Sequence, residues 1–166
     1  MTRAVIIDGR DIGLAQQATA DVLHHVLTHA GTDFATWAVL DTLHRRGIAV
    51  PRAELVAAIA RRQATPPAEV EATVDELEAA GLVQVVTPPD GDPAGVTLRP
   101  TTAGTRRHRE LRAAVDHASD QLFADIPRSE QRAAQRVLAT VTMRAEAWLR
   151  AQTAATSGPN AVREAS

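Results

Sequence analysis

Apolar residues recur every three to four positions through most of the chain, the spacing that places them on one face of an α-helix. This spacing predicts helices at about residues 12–30, 34–46, 51–62, 65–80, 101–124 and 129–155. Glycines follow three of these segments directly, at positions 31, 47 and 81, as expected of a residue that ends a helix. The pattern therefore predicts a mainly α protein.

The period of the pattern changes between the fourth and fifth helices. Leu82–Val86 is rich in β-branched residues and predicts a strand, and Val96–Arg99 predicts a returning strand. Pro88–Pro93 carries the Pro, Asp and Gly residues that are typical of a turn. Ile48–Val50 is interpreted as a short extended link. A β-hairpin directly after a helix–turn–helix indicates a winged helix-turn-helix with a two-stranded β-wing.

Composition narrows the class of protein. The chain has 166 residues, 45% of them hydrophobic, which is enough for one domain with a core. It contains only two Trp and two Phe, so Ala, Val, Leu and Ile must fill that core. The absence of cysteine excludes disulfide bonds, thiolate catalysis and Cys-ligated metals. A net charge of −2 gives no global signal for nucleic acid.

The sequence shows no sign of export or membrane insertion. No apolar run approaches the roughly 20 residues that a membrane span requires. The stretch Ala4–Ile7 is too short for a signal peptide and is followed by Asp8. We therefore expect a cytoplasmic protein without a membrane partner. Residues 156–166 are expected to form a disordered tail.

Three short motifs occur in a fixed order along the chain. Trp37–Leu43 is similar to the pattern Q-W-x-V-L-x-x-L, Val74–Val83 to V-D-R-L-E-E-R-G-L-V, and Val96–Gly104 to the strand-to-helix pattern V-x-L-T-x-x-G. These patterns belong to the MarR family of winged-helix regulators, which the chain resembles over about residues 12–150.

The resemblance implies an organisation for the whole chain. Residues 1–31 and 101–155 would be the N- and C-terminal dimerisation helices of a homodimer, and residues 32–100 the winged helix-turn-helix lobe. Together they would form one intertwined domain. The resemblance also implies a small-molecule pocket where the dimerisation helices meet the lobe.

In this fold the fourth helix is the recognition helix, which enters the major groove of DNA. Here that helix has no Arg or Lys, and its charged residues are Glu69, Glu71, Asp75, Glu76 and Glu78. Phosphates repel carboxylates, and on base edges a carboxylate accepts only from cytosine. The family's wing carries arginine. Here the corresponding segment, Asp90–Gly95, has two acidic residues and no arginine.

Basic residues nevertheless surround the helix–turn–helix. Such arginines can contact phosphates, which positions a lobe without reading bases. Alternatively they are solvated charges that the dipole at a helix C-terminus favours. The residues predicted to contact DNA are Arg52, Arg61, Arg62, Thr65, Glu69 and Arg99.

Histidines lie on the helices that would wall the pocket in this fold. The residues predicted to line it are His25, His29, Trp37, Leu40, His44 and His108. This lining suits an aromatic or phenolic anion. Alternatively, such histidines satisfy hydrogen bonds within a helical interface.

His25 and His29 share a helix face at i, i+4 spacing. Such a pair can hold a metal ion or haem, although no metal-binding motif surrounds it, and no cofactor is predicted. If the protein is an enzyme, His25, His29 and His44 are its acid–base candidates, because histidine titrates near neutral pH.

Two functional hypotheses follow. The first is a transcription regulator that binds double-stranded DNA as a homodimer and responds to a small-molecule ligand. The second is a protein of the same fold that has lost operator binding and uses its interhelical pocket to bind or convert a small molecule.

Overall fold

The structure, a computed structural model, describes residues 7–47, 49–87 and 95–156. The helices are α1 (Gly9–His29), α2 (Phe34–Arg46), α3 (Arg52–Gln63), α4 (Pro67–Ala79), α5 (Thr102–Phe123) and α6 (Arg128–Thr156). The strands are β1 (Val50–Pro51), β2 (Val83–Val86) and β3 (Thr97–Pro100). The predicted mainly α fold with a wing hairpin is confirmed.

The chain divides into two compact units, Met1–Leu122 and Phe123–Ser166. The first contains α1 to α4, the sheet and α5 up to Leu122, and the second contains α6. Among the described residues, no helix combines the length and apolar character that a membrane crossing needs. The predicted tail after residue 156 lies outside the described residues.

Local capping fixes where the first two helices begin. Asp8 Oδ1 accepts hydrogen bonds from the backbone N–H groups of Arg10 (2.8 Å) and Asp11 (3.1 Å), and Asp11 Oδ2 accepts from Asp8 N–H at 3.0 Å. This reciprocal capping box starts α1 at Gly9, earlier than the predicted residue 12. Asp33 caps α2 by accepting from Thr36 N–H at 2.8 Å.

The sheet has one strand more than the predicted two-stranded wing, in the order β1-β3-β2. β2 and β3 form the predicted antiparallel hairpin, in which Val85 lies opposite Leu98. Val50, predicted as the end of a link, and Pro51, predicted as the start of the third helix, instead form β1, which pairs with the other edge of β3. A two-residue strand has no readable period and forms only because β3 is there to pair with it. The predicted turn Pro88–Pro93 lies outside the described residues.

An aliphatic core unites the helix–turn–helix, the sheet and α5. Its largest fully buried side chains are Leu27, Leu40, Leu43, Leu55, Ile59, Leu98, Leu111, Val39, Val50 and Val74. Gly104 sets the packing of α5, because a Cβ at this position would lie 1.9 Å from Leu82 O. The last residue of the third motif is therefore glycine for a steric reason.

Candidate nucleic-acid interface and ligand site

The helix–turn–helix is formed by α3, a short turn and α4. Ala64, in the turn, adopts the left-handed conformation (φ 51°, ψ 37°) that redirects the chain after α3. Val70, Val74 and Leu77 bury one face of α4 against the core, at helical spacing. The exposed face of α4 is therefore the acidic one.

Arg52, at the first position of α3, joins that helix to α4. Its Nε donates to Glu71 Oε2 at 2.7 Å, and its Nη2 donates to Asp75 Oδ1 at 2.6 Å. Burial lowers the pKa of Arg52, but the hydrogen bonds to Asp75 and Glu71 outweigh it and raise that pKa. Arg52, a predicted DNA contact, is thus bonded within the lobe, and its single positive charge offsets one of the two negative charges of Glu71 and Asp75.

The other arginines predicted to contact DNA differ in whether their side chains are bonded to other residues of the protein. Arg61 and Arg62 are exposed in the last turn of α3 and form no ion pair within residues 7–47, 49–87 and 95–156. Arg99, exposed on β3, donates to Gln84 Oε1 at 3.0 and 3.2 Å. Within the described residues, Arg99 is the one of these three arginines whose side chain is hydrogen-bonded, and its partner is neutral.

Thr65 and Glu69 lie at the start of α4. Thr65 is half-buried, and its Oγ1 lies 3.4 Å from Gln63 O, at the limit of a hydrogen bond. Glu69 is exposed in the first turn, where the helix dipole stabilises a carboxylate. Its charge therefore has a structural explanation that does not involve DNA.

Four of the six predicted pocket residues lie in and beside the interface of α2 and α5. Trp37 and Leu40 are buried core residues of α2. His108, 4% exposed, stacks on Trp37 with ring centroids 5.4 Å apart and on His44 with centroids 4.2 Å apart. The structure therefore brings Trp37, His44 and His108 together as one stack of rings.

Asp41, which sequence reasoning missed, completes this cluster. His108 Nε2 lies 3.3 Å from Asp41 Oδ1, and Arg45 Nε lies 2.8 Å from Asp41 Oδ2. Burial lowers the pKa of His108 below its usual value, although the hydrogen bond to Asp41 opposes the shift. His108 Nδ1 is buried without a hydrogen-bond partner in the described part of the chain. One signal was available: Asp41 directly follows the apolar pair Val39–Leu40 in the first motif.

His25 and His29 form a separate pair on the exposed surface of α1. Their ring centroids lie 4.2 Å apart, and His29 Nδ1 lies 3.1 Å from His25 O. Neither ring stacks on the Trp37–His108–His44 group within the described residues. Among the described residues, no group of three or more His, Cys, Asp or Glu side chains is placed to hold a metal ion.

This geometry is that of a MarR-type winged helix, a fold shared with solved structures of MarR-family regulators. No protein-family model matches the chain, and no curated protein matches it in sequence. A mutant MarR from E. coli is similar at 20% identity and a TM-score of 0.67, over 84% of this chain and 99% of that one. The same mutant complexed with operator DNA gives a TM-score of 0.63 at 21% identity, over 80% and 91%.

Two further structures of this fold contain small molecules. CouR from Rhodococcus jostii RHA1, bound to p-coumaroyl-CoA, is 21% identical with a TM-score of 0.62, over 78% of this chain and 87% of that one. NadR in complex with 4-hydroxyphenylacetate is 22% identical with a TM-score of 0.62, over 85% and 97%. At these identities the likeness establishes the fold.

Proposed function

We propose that this chain is a MarR-like transcription regulator that binds DNA as a homodimer and responds to a small-molecule ligand. The observation that carries the proposal is the match of the whole winged-helix architecture. It spans 84% of this chain and 99% of an E. coli MarR, a protein also solved with operator DNA.

The charges on the helix–turn–helix support DNA contacts from α3 rather than from α4. Arg61 and Arg62 are exposed, and no acid within the described residues neutralises them. Arg52 offsets Glu71 and Asp75, which reduces the repulsion that α4 would exert on phosphates. DNA affinity in this proposal comes mainly from phosphate contacts and depends strongly on salt.

The exposed face of α6 supports the homodimer. Its exposed apolar residues include Val137, Leu138, Val141, Trp148 and Leu149, which recur at helical spacing along the helix. Soluble monomers rarely expose contiguous apolar patches of this kind. We propose that a second copy covers this face. Sedimentation equilibrium should give twice the mass of the chain, and Leu138→Glu with Leu149→Glu should shift the protein toward one chain.

The ring stack between α2 and α5 is the proposed ligand-responsive element. Trp37 is buried and stacks on His108, and His108 Nδ1 is a buried polar atom without a partner among the described residues. An aromatic or phenolic anion suits this chemistry, in line with the ligands of CouR and NadR. Such a ligand regulates DNA binding only if it has different affinities for two arrangements of the lobes.

Titration of the purified protein with DNA from upstream of its own gene, and with a random duplex of equal length, tests the proposal. At low salt we expect tighter binding to the upstream duplex, and weaker binding to both as salt rises. Equal affinity for the two duplexes would contradict a regulator, and absence of binding to either would exclude DNA as the partner.

One observation favours the second candidate function, a protein of this fold that binds or converts a small molecule without reading an operator. Glu69, Glu76 and Glu78 are exposed on α4 and form no ion pair within the part of the chain that the structure describes. Under this alternative, neither duplex binds, whereas 4-hydroxyphenylacetate, used as a probe, quenches Trp fluorescence in wild type and not in His108→Ala.

A further inference from the structure

A cleft of about 310 Å³ lies between the C-terminal half of α2 and one face of α3. Thr42, Arg45, Arg46, Ala58, Ile59 and Arg62 line it. Ala58 and Arg62 are four residues apart and share a helix face, and the single methyl group of Ala58 leaves space where a longer side chain would fill the cleft. The cleft is distinct from the ring stack between α2 and α5.

Two of the three arginines are held in place by carboxylates. Arg45 Nε lies 2.8 Å from Asp41 Oδ2, and Arg46 Nη1 lies 2.6 Å from Glu54 Oε1. A guanidinium carries five N–H donors, so each of these arginines keeps donors for another acceptor. Arg62 forms no ion pair among the described residues, which leaves an excess of positive charge at the cleft.

Thr42 also lines the cleft, although its hydroxyl is not accessible from it. Thr42 Oγ1 is buried and has no hydrogen-bond partner within the described residues. A buried hydroxyl without a partner costs free energy, so most such groups are satisfied. The three guanidinium groups, two from α2 and one from α3, form a donor set at one space. That set suits a tetrahedral oxyanion better than a planar carboxylate, which one guanidinium fork satisfies.

From these features we infer that the cleft of Thr42, Arg45, Arg46 and Arg62 is a binding site for a phosphate group. The inference does not depend on sequence-specific DNA binding or on a ligand between α2 and α5. The phosphate can belong to a small phosphorylated molecule or to the backbone of a nucleic acid, and the two sources are separable by experiment.

The first arm of the test is a titration of the full chain with inorganic phosphate at constant ionic strength, followed by NMR. Signals of residues near 42–46 and 58–62 should shift and saturate. Loss of one charged hydrogen-bonding partner should weaken binding in Arg62→Gln by about tenfold or more. Arg61→Gln is the matched control, because it removes the same charge from a residue outside the cleft.

Two further variants distinguish phosphate binding in the cleft from a general effect of net charge. Ala58→Leu fills the space without changing any charge and should abolish the saturable shifts. Thr42→Val changes a lining residue at nearly constant volume and charge, and should leave phosphate binding and the thermal midpoint close to those of wild type, because its hydroxyl is buried without a partner within the described residues.

The second arm measures affinity for a random-sequence duplex at several salt concentrations. Saturable phosphate binding with unchanged duplex affinity in Ala58→Leu assigns the site to a small phosphorylated molecule. Weaker duplex binding in Ala58→Leu, which removes no charge, as well as in Arg62→Gln assigns it to a nucleic-acid backbone. Equal effects of Arg61→Gln and Arg62→Gln in both arms, with Ala58→Leu like wild type, would overturn the site.

Discussion

The two helices of the helix–turn–helix have similar buried faces and opposite exposed faces. α3 packs Leu55, Val56, Ile59 and Ala60 into the core, and α4 packs Val70, Val74 and Leu77. On the outside, α3 ends in arginines, whereas every charged residue of α4 is acidic. The apolar faces determine how the helices pack, while the exposed charges are free to vary within one fold. The buried faces therefore fix the fold of this lobe without fixing the charge of its surface.

The largest expected effect tests whether apolar packing, rather than charge, holds α3 and α4 in place. Leu55→Ala in α3 and Leu77→Ala in α4 should each lower the free energy of unfolding by about 2–5 kcal/mol, because both side chains are almost fully buried. Urea unfolding followed by circular dichroism measures this. Glu78→Ala, exposed on α4, is the control and should change stability by less than about 0.5 kcal/mol. Comparable losses of stability in Leu55→Ala, Leu77→Ala and Glu78→Ala would contradict the claim that apolar packing holds α3 and α4 in place.

Arg52 is the one described ion-pair link between the basic and the acidic helix. Arg52→Met keeps most of the side-chain volume and removes both bonds. Because Glu71 and Asp75 remain partly exposed, the loss of stability should be about 1 kcal/mol, near the upper end for exposed ion pairs. The salt dependence of DNA binding should stay close to that of wild type. A large change in that salt dependence would instead make Arg52 a phosphate contact.

A substitution in the turn between the two helices should have a smaller effect on stability, and of opposite sign. Ala64 has a positive φ of 51°, which costs a residue with a Cβ more than it costs glycine. Ala64→Gly should therefore stabilise the lobe by up to about 1 kcal/mol, after the greater flexibility of glycine in the unfolded chain is subtracted. A rise in the thermal midpoint tests this, with Ala57→Gly inside α3 as a control that should lower it. A lower midpoint in Ala64→Gly would show that the turn is not strained.

His108 contrasts with the surface charges of α3 and α4 because it titrates inside the core. Burial holds the pKa of His108 below the unfolded value of about 6.5. The hydrogen bond to Asp41 opposes this shift, and the nearby charges of His44 and Arg112 add to it. Below pH 6.5 the unfolded chain binds the proton more readily, so this contribution to stability is present at neutral pH and is lost as pH falls. Thermal midpoints at pH 7.5 and 5.5 should differ less in His108→Gln than in wild type or in the exposed His117→Gln. An unchanged difference in His108→Gln would contradict the account.

Much of the fold could be predicted because its elements have local signals. Helical spacing, capping by Asp33 and glycine at 47 locate the helices of the lobe, and β-branched runs locate β2 and β3. β1 could not be predicted, because two residues become a strand only beside β3. The candidate site was harder to predict from the sequence, because the ion pairs of Arg52 and the contact of Asp41 with His108 join residues that are far apart in sequence. His25 and His29, which are four residues apart and share one face of α1, pair with each other there.

The central claim is that this winged helix binds DNA through phosphate contacts from the end of α3, despite an acidic α4. The direct test is the slope of log affinity for the upstream duplex against log salt. In Arg61→Gln with Arg62→Gln, the slope should become shallower by roughly two for each lobe. Glu69→Thr should strengthen binding by removing a repulsive charge from the start of α4. A slope that is the same in wild type and the double variant, with no gain in Glu69→Thr, would contradict the claim.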